Sequence, residues 1–174
     1  GRTRTSCATP RAAGASWLPD GSLLFATANH SIRLLRNGSV SDATSLQAGD
    51  RSHAYPMATG AAGEFVYVAV RDDGRRIVRL HQGAMDRDLG ETTAHAQLVG
   101  TQLLYVRQGA LLAQALDAKG ALGGDGRLIA ADVGASGGRA FFTASPRVLL
   151  TAPAGSRARQ LVWFDGDRRV GTIG

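Results

Sequence analysis

The chain has 174 residues, enough for a normal core, with 44% hydrophobic and 6% aromatic content, 23 glycines and 5 prolines. Its formal net charge is +6 and its pI about 10.6, but the arginines are scattered, Lys119 is the one lysine, and no aromatic-interleaved basic stripe accompanies them, which argues against nucleic acid. Apolar runs such as 65–70 are of strand length, so no membrane-inserting span is expected.

The chain opens at Gly1-Arg2-Thr3-Arg4 in mid-pattern, without an initiator Met or leader, and reads as a piece of something longer. Residues 2–5 look like the outer strand of an earlier unit. Cys7 excludes an internal disulfide and, with no base nearby in sequence, reads as a strand residue rather than a nucleophile.

Four units follow, at a spacing of about 40 residues. In the first, strands are expected over 15–18, 23–28, 32–36 and 39–44, joined by the turn Pro19-Asp20-Gly21, the turn Asn29-His30-Ser31 and the two-residue hairpin Asn37-Gly38. The second runs 53–57, 65–70, 76–80 and 86–91, with turns at Asp72-Asp73-Gly74 and Gln82-Gly83. The third runs 96–99, 102–106, 111–116 and 128–131, with a turn at Gln108-Gly109 and a Gly-rich connection over 117–127. The fourth runs 140–144, 148–151, 160–164 and 168–173, with turns at Ala154-Gly155 and Asp165-Gly166.

The second strand of each unit is the most apolar: Leu23-Leu24-Phe25-Ala26, Phe65-Val66-Tyr67-Val68, Leu103-Leu104-Tyr105-Val106 and Val148-Leu149-Leu150. A strand covered on both faces has no need to alternate. Nothing shows sustained helical periodicity. The expected fold is therefore all-β: a β-propeller with four blades of four antiparallel strands, divided near 15–51, 52–93, 94–135 and 136–174, with 1–14 as the tail of a preceding blade. Four blades lie at the low limit for ring closure, so the four are expected to belong to a larger propeller of roughly six to eight blades. An open arc would leave apolar end faces uncovered, among them Leu23–Phe25 and Leu149–Leu150, and so implies self-association or completion by missing blades.

The string Ser16-Trp17-Leu18-Pro19-Asp20-Gly21 resembles the signature of TolB-like propeller repeats. Ser52-His53-Ala54-Tyr55-Pro56 and Leu161-Val162-Trp163-Phe164-Asp165-Gly166 are similar to the propellers carried C-terminally by bacterial serine/threonine kinases and winged-helix regulators. The resemblance covers nearly the whole chain. It implies a bacterial, periplasmic or extracytoplasmic setting, with a cytoplasmic one left open, because such propellers typically follow a membrane helix. The second unit departs from the pattern, with Thr59-Gly60-Ala61-Ala62-Gly63 in place of Pro-Asp-Gly. The fourth keeps only Ser145-Pro146-Arg147.

No catalytic constellation stands out. His30, His53, His81 and His95 have no metal-ligand spacing. Asp20, Asp72, Asp73, Asp165 and Asp167 follow turn chemistry rather than a calcium loop. Gly120, Gly123, Gly124 and Gly126 lack the helix and the G-K-[ST] of a phosphate loop, and no G-x-S-x-G elbow is present. Trp17 and Trp163 read as blade-packing residues. No cofactor and no metal is expected. The positions assigned to channel or loop binding are His53, at the start of an innermost strand, with Tyr55, Arg71 and Arg139. The functional expectation is a noncatalytic sensor or interaction module that binds a protein or small-molecule ligand. The alternatives are the substrate-gating propeller of an oligopeptidase-type enzyme and a TolB-like periplasmic scaffold.

Overall fold

The computed structural model describes residues 12–117, 119–155, 161–165 and 168–173, the last two segments as backbone. The described residues form strands, turns and bends with no helix, and hence none long and apolar enough to cross a membrane. The readings made on residues 2–5, on Cys7 and on the Trp163 side chain lie outside the described residues.

Three four-stranded antiparallel sheets come first, each a simple up-and-down meander. Sheet one comprises β1 (Ala12–Trp17), β2 (Leu23–Thr27), β3 (Ile32–Arg36) and β4 (Ser39–Asp42). Sheet two comprises β5 (Asp50–Ala58), β6 (Phe65–Arg71), β7 (Arg76–Gln82) and β8 (Met85–Glu91). Sheet three comprises β9 (Gln97–Val99), β10 (Gln102–Arg107), β11 (Ala110–Leu116) and β12 (Leu122–Ala130). Their first strands lie side by side, β1 against β5 and β5 against β9. Face-to-face sheets that share an inner edge of first strands are the arrangement of propeller blades.

The turns that set this pattern are local. Asn37-Gly38 and Gln108-Gly109 both hold positive φ at two successive positions (50° and 81°, 51° and 78°), the backbone of a type I′ hairpin. Asp20 Oδ1 accepts the Ser22 amide at 2.9 Å and Asp73 Oδ1 accepts that of Arg75 at 3.0 Å, so these carboxylates do serve their own turns.

Of the apolar second strands, β6 and β10 are covered on both faces, whereas β2 buries Leu24 and Ala26 and leaves Leu23 and Phe25 half-buried, and residues 148–150 are exposed. From β6, Phe65, Tyr67 and Ala69 pack with Leu24, Ala26 and Ile32 of sheet one, while Val66 joins Leu103 and Tyr105 of sheet three. From β10, the alternate residues Leu104 and Val106 turn instead to Val133, Ala140 and Phe142. Each such side chain contributes about 1.5–3 kcal/mol by leaving water.

Three expectations need correction. The Gly-rich stretch is not a loop beyond a tight turn at residue 117: β12 begins at Leu122 and pairs with β11 through irregular register, with Ala113 opposite Arg127 and Ala115 opposite Gly123. The extra residues bulge outward, and Gly126 sits where a Cβ would lie 2.6 Å from the Tyr105 hydroxyl. Among the described residues the fourth unit pairs as three two-stranded hairpins rather than one four-stranded sheet: β13 (Ala135–Ser136) with β14 (Arg139–Ala140), β15 (Phe142–Ala144) with β16 (Leu149–Thr151), and β17 (Leu161–Asp165) with β18 (Arg168–Ile173), the first two joined by backbone bonds such as Gly134 to Ala152. Among the described residues Trp17 packs against no second blade. It is 68% exposed, because it shares a face with Leu23 and Leu35, its cross-strand neighbours, and that face points away from sheet two.

Candidate functional site

The first strands converge on a cleft of about 430 Å³. Its walls come from β1 (Ala12, Ala15), β5 (Tyr55, Pro56, Met57), Gln97 at the start of β9 with His95 two residues before it, and the segment Ser136 to Thr143. The site therefore lies at the shared inner edge of the blades.

Tyr55 is its most constrained residue. Pro56 has no amide hydrogen to give the ladder, and the register slips here: Ala54 faces Val68, but Met57 faces Val66. Tyr55 occupies the resulting bulge at φ +52°, a left-handed conformation that costs a non-glycine residue of order 1–3 kcal/mol. Two contacts hold it. Its hydroxyl donates to the Gly137 carbonyl at 2.6 Å. On the other side Gly14, at φ +105°, lets β1 come so close that a Cβ would lie 2.9 Å from the Tyr55 Cα.

The β13–β14 hairpin turns through Gly137 and Gly138, at φ 61° and 85°. His95 fastens it. The His95 amide donates to the Gly138 carbonyl at 2.8 Å, and the Ala140 amide donates to His95 Nδ1 at 3.0 Å. An amide can only donate, so Nδ1 is the acceptor and the ring proton resides on Nε2. Burial, reinforced by the positive charge of Arg139, pushes the His95 imidazole down to about 4. Phe142 stacks on the ring at 4.7 Å between centroids, with 10° between planes. Gln97 ties the next strand in the same reciprocal manner, donating to the Ala144 carbonyl (2.7 Å) and accepting from the Ala144 amide (3.0 Å).

The four sequence-derived positions separate into two groups. Tyr55 and Arg139 line the cleft. His53 and Arg71 instead belong to a buried charge cluster around Asp50. Asp50 Oδ2 accepts from Arg79 Nη1 at 2.5 Å and from His53 Nε2 at 3.1 Å, and Oδ1 accepts from Arg71 Nη1 at 2.6 Å. The Thr44 hydroxyl, which accepts the Ile32 amide, lies 2.8 Å from His53 Nδ1. With a carboxylate on Nε2, the proton sits on Nε2 and Thr44 donates to Nδ1. Burial pushes the Asp50 carboxyl up, but the hydrogen bonds from Arg79, His53, the Gln47 amide and Arg71 outweigh it and bring the group down to about 2. Burial likewise holds His53 below its ordinary range. Arg71 is ion-paired with Asp50 and His53 is sealed from solvent, and neither lines the cleft.

Sequence reasoning passed over Gln97, the Gly137-Gly138 turn and the placement of His95. The usable signal was Ser136-Gly137-Gly138-Arg139, a Gly-Gly hairpin beside a strand. Among the described residues no group of three His, Cys, Asp or Glu side chains is placed to hold a metal ion.

No family model matches the chain, and no curated protein matches it. Among solved structures, a Thermus thermophilus protein provisionally named an oxidoreductase (glucose dehydrogenase) is similar at 16% identity and a TM-score of 0.45, over 61% of this chain and 44% of that one. The chain thus spans less than half of that protein, and a likeness at this level carries nothing about activity.

Proposed function

We propose that the chain is a noncatalytic recognition module of β-propeller type that binds a ligand or partner in the cleft at the inner edge of its blades. The observation that carries this reading is what the cleft leaves free. Gln97 and the Tyr55 hydroxyl are spent on holding backbone, and the basic nitrogen of His95 is spent on Ala140. His95 therefore has no lone pair left with which to act as a general base. Arg139, the His95 Nε2–H and the Ser136 and Thr143 hydroxyls remain, and none of them is a base at neutral pH. Such a set orients a bound group without moving a proton. The volume falls within the range of small-molecule sites, about 300–1,000 Å³.

Ligand-observed NMR screening of a fragment set tests it, with a Thr143→Trp variant whose indole fills the cleft from its rim. Fragments that compete for one site on the parent chain and are lost from the variant support the reading. Fragments that bind both equally, or a screen without hits, would overturn it.

A further inference from the structure

We infer that the cleft takes a monocarboxylate with an apolar body, its carboxylate seated between the Arg139 guanidinium and the His95 Nε2–H. This rests on the recognition reading above and adds the chemical class of the ligand.

Three observations converge on it. The first is charge. Arg139 is the one charged side chain among the lining residues, no carboxylate lines the cleft, and Arg139 has no ion-pair or hydrogen-bond partner among the described residues. Arg76 stands nearby: a Cβ on Gly138 would lie 3.3 Å from both its Nε and the Tyr55 ring, and Arg76 too is without an ion-pair partner among the described residues.

The second is donor geometry. The Ala140 amide fixes the His95 tautomer, so Nε2 carries a hydrogen whatever the ligand does. Phe142 and the two backbone bonds to the hairpin fix its direction. A preset neutral donor and a guanidinium lining one cleft suit an anion with two in-plane oxygens, and hydrogen bonds to an ionised acceptor are about twice as strong as neutral ones. The third is part of the remaining wall: Ala12, Ala15, Pro56, Met57 and Phe142 offer apolar surface beside the polar Ser136 and Thr143, which gives a hydrocarbon body a place to rest.

Isothermal titration with 4-phenylbutyrate, its neutral isostere 4-phenylbutyramide and inorganic phosphate tests the assignment on the full chain and on Arg139→Gln, an exposed position where folding is not at stake. The expected result is binding of the carboxylate about tenfold or more tighter than the amide, loss of that preference in Arg139→Gln, and no competition by phosphate at equal concentration. The Thr143→Trp variant should bind neither organic probe. Equal binding of acid and amide, an unchanged preference in Arg139→Gln, or phosphate competing as well as phenylbutyrate would each overturn the carboxylate assignment while leaving the cleft as a binding site. Absence of binding by both organic probes would overturn the assignment and the recognition reading together.

Discussion

Arg79 reaches Asp50 across sheet two, its Nη1 2.5 Å from Oδ2, with both side chains at 1% exposure or less. Arg79 also donates to Asp88 through Nε. The guanidinium is thus held by one fully buried carboxylate and one at the surface. Removing the buried partner leaves a cation with nowhere to go.

Asp50→Asn is therefore expected to destabilise the fold by about 3–5 kcal/mol, the usual cost of breaking one side of a buried pair. Urea denaturation at neutral pH measures it. A double variant, Asp50→Asn with Arg79→Leu, should recover part of the loss, since no buried charge then lacks a partner. The native Asp50 carboxyl titrates near 2, below its unfolded value, so its contribution is fully present above about pH 4 and is lost as pH falls through 2. In Asp50→Asn that lowest part of the acid transition should disappear.

His95 acts at milder pH. Its imidazole titrates at about 4 when folded, against 6.5 in the unfolded chain, so the unfolded state binds more protons between those values. Stability is fully present above pH 6.5 and declines as pH falls to 4, by up to about 3 kcal/mol from this group. His95→Asn, which can keep an acceptor for the Ala140 amide, should flatten the stability profile in that window. Thermal melting from pH 4 to 7 gives the comparison, and an unchanged slope would contradict the buried neutral imidazole.

Gly14 and Gly21 form a matched pair. Both have positive φ, 105° and 80°, so alanine strains the backbone at each. Only at Gly14 does the new Cβ meet a neighbour, the Tyr55 backbone at 2.9 Å, whereas nothing lies within 4 Å at Gly21. Gly14→Ala should lower stability by at least about 1 kcal/mol more than Gly21→Ala, and it should also weaken any cleft ligand by displacing Tyr55.

The outer face of sheet one leads to a fourth expectation. Trp17, Leu23 and Leu35 stand side by side across β1, β2 and β3, and Val40, paired with Leu35, extends the row. At the other end of the described chain Leu149 and Leu150 are exposed as well. Rows of this kind draw partners, and a second copy of the chain is the expected one. Light scattering should show mass rising with micromolar concentration, and a Trp17→Ser, Val40→Ser variant should shift that rise to higher concentration. A monomer at every concentration would contradict it.

Much of the fold could be read in the sequence because the signals are local. The strands β6 and β10 appear as dense apolar runs since both their faces are covered, and Asn37-Gly38 and Gln108-Gly109 mark hairpins whose backbone demands those residues. What stayed hidden depends on distant partners. Nothing in the local sequence marks Asp50 and Arg79 as a buried pair. Only the packing of sheet one over β5 and β6 seals them together, so no spacing rule announces the pair. Arg71 and Arg139 look alike in sequence, yet one is neutralised by Asp50 and the other is left free by a hairpin that His95 pins in place. Trp17 resembled a packing residue because its neighbours are apolar, and that pattern does not say whether a further sheet lies beyond.

The bond from the Tyr55 hydroxyl to the Gly137 carbonyl joins residues 82 positions apart. At ribosomal rates of about 5–20 residues per second, Tyr55 emerges roughly 4–16 seconds before its acceptor exists. During that interval nothing from the β13–β14 hairpin opposes relaxation of the left-handed Tyr55 backbone, and neither Arg139 nor the amide that fixes the His95 tautomer has been made. A nascent chain can thus complete three sheets and still lack the finished cleft. On the recognition reading proposed above, ligand binding would then be a checkpoint of maturation that unfinished chains do not pass.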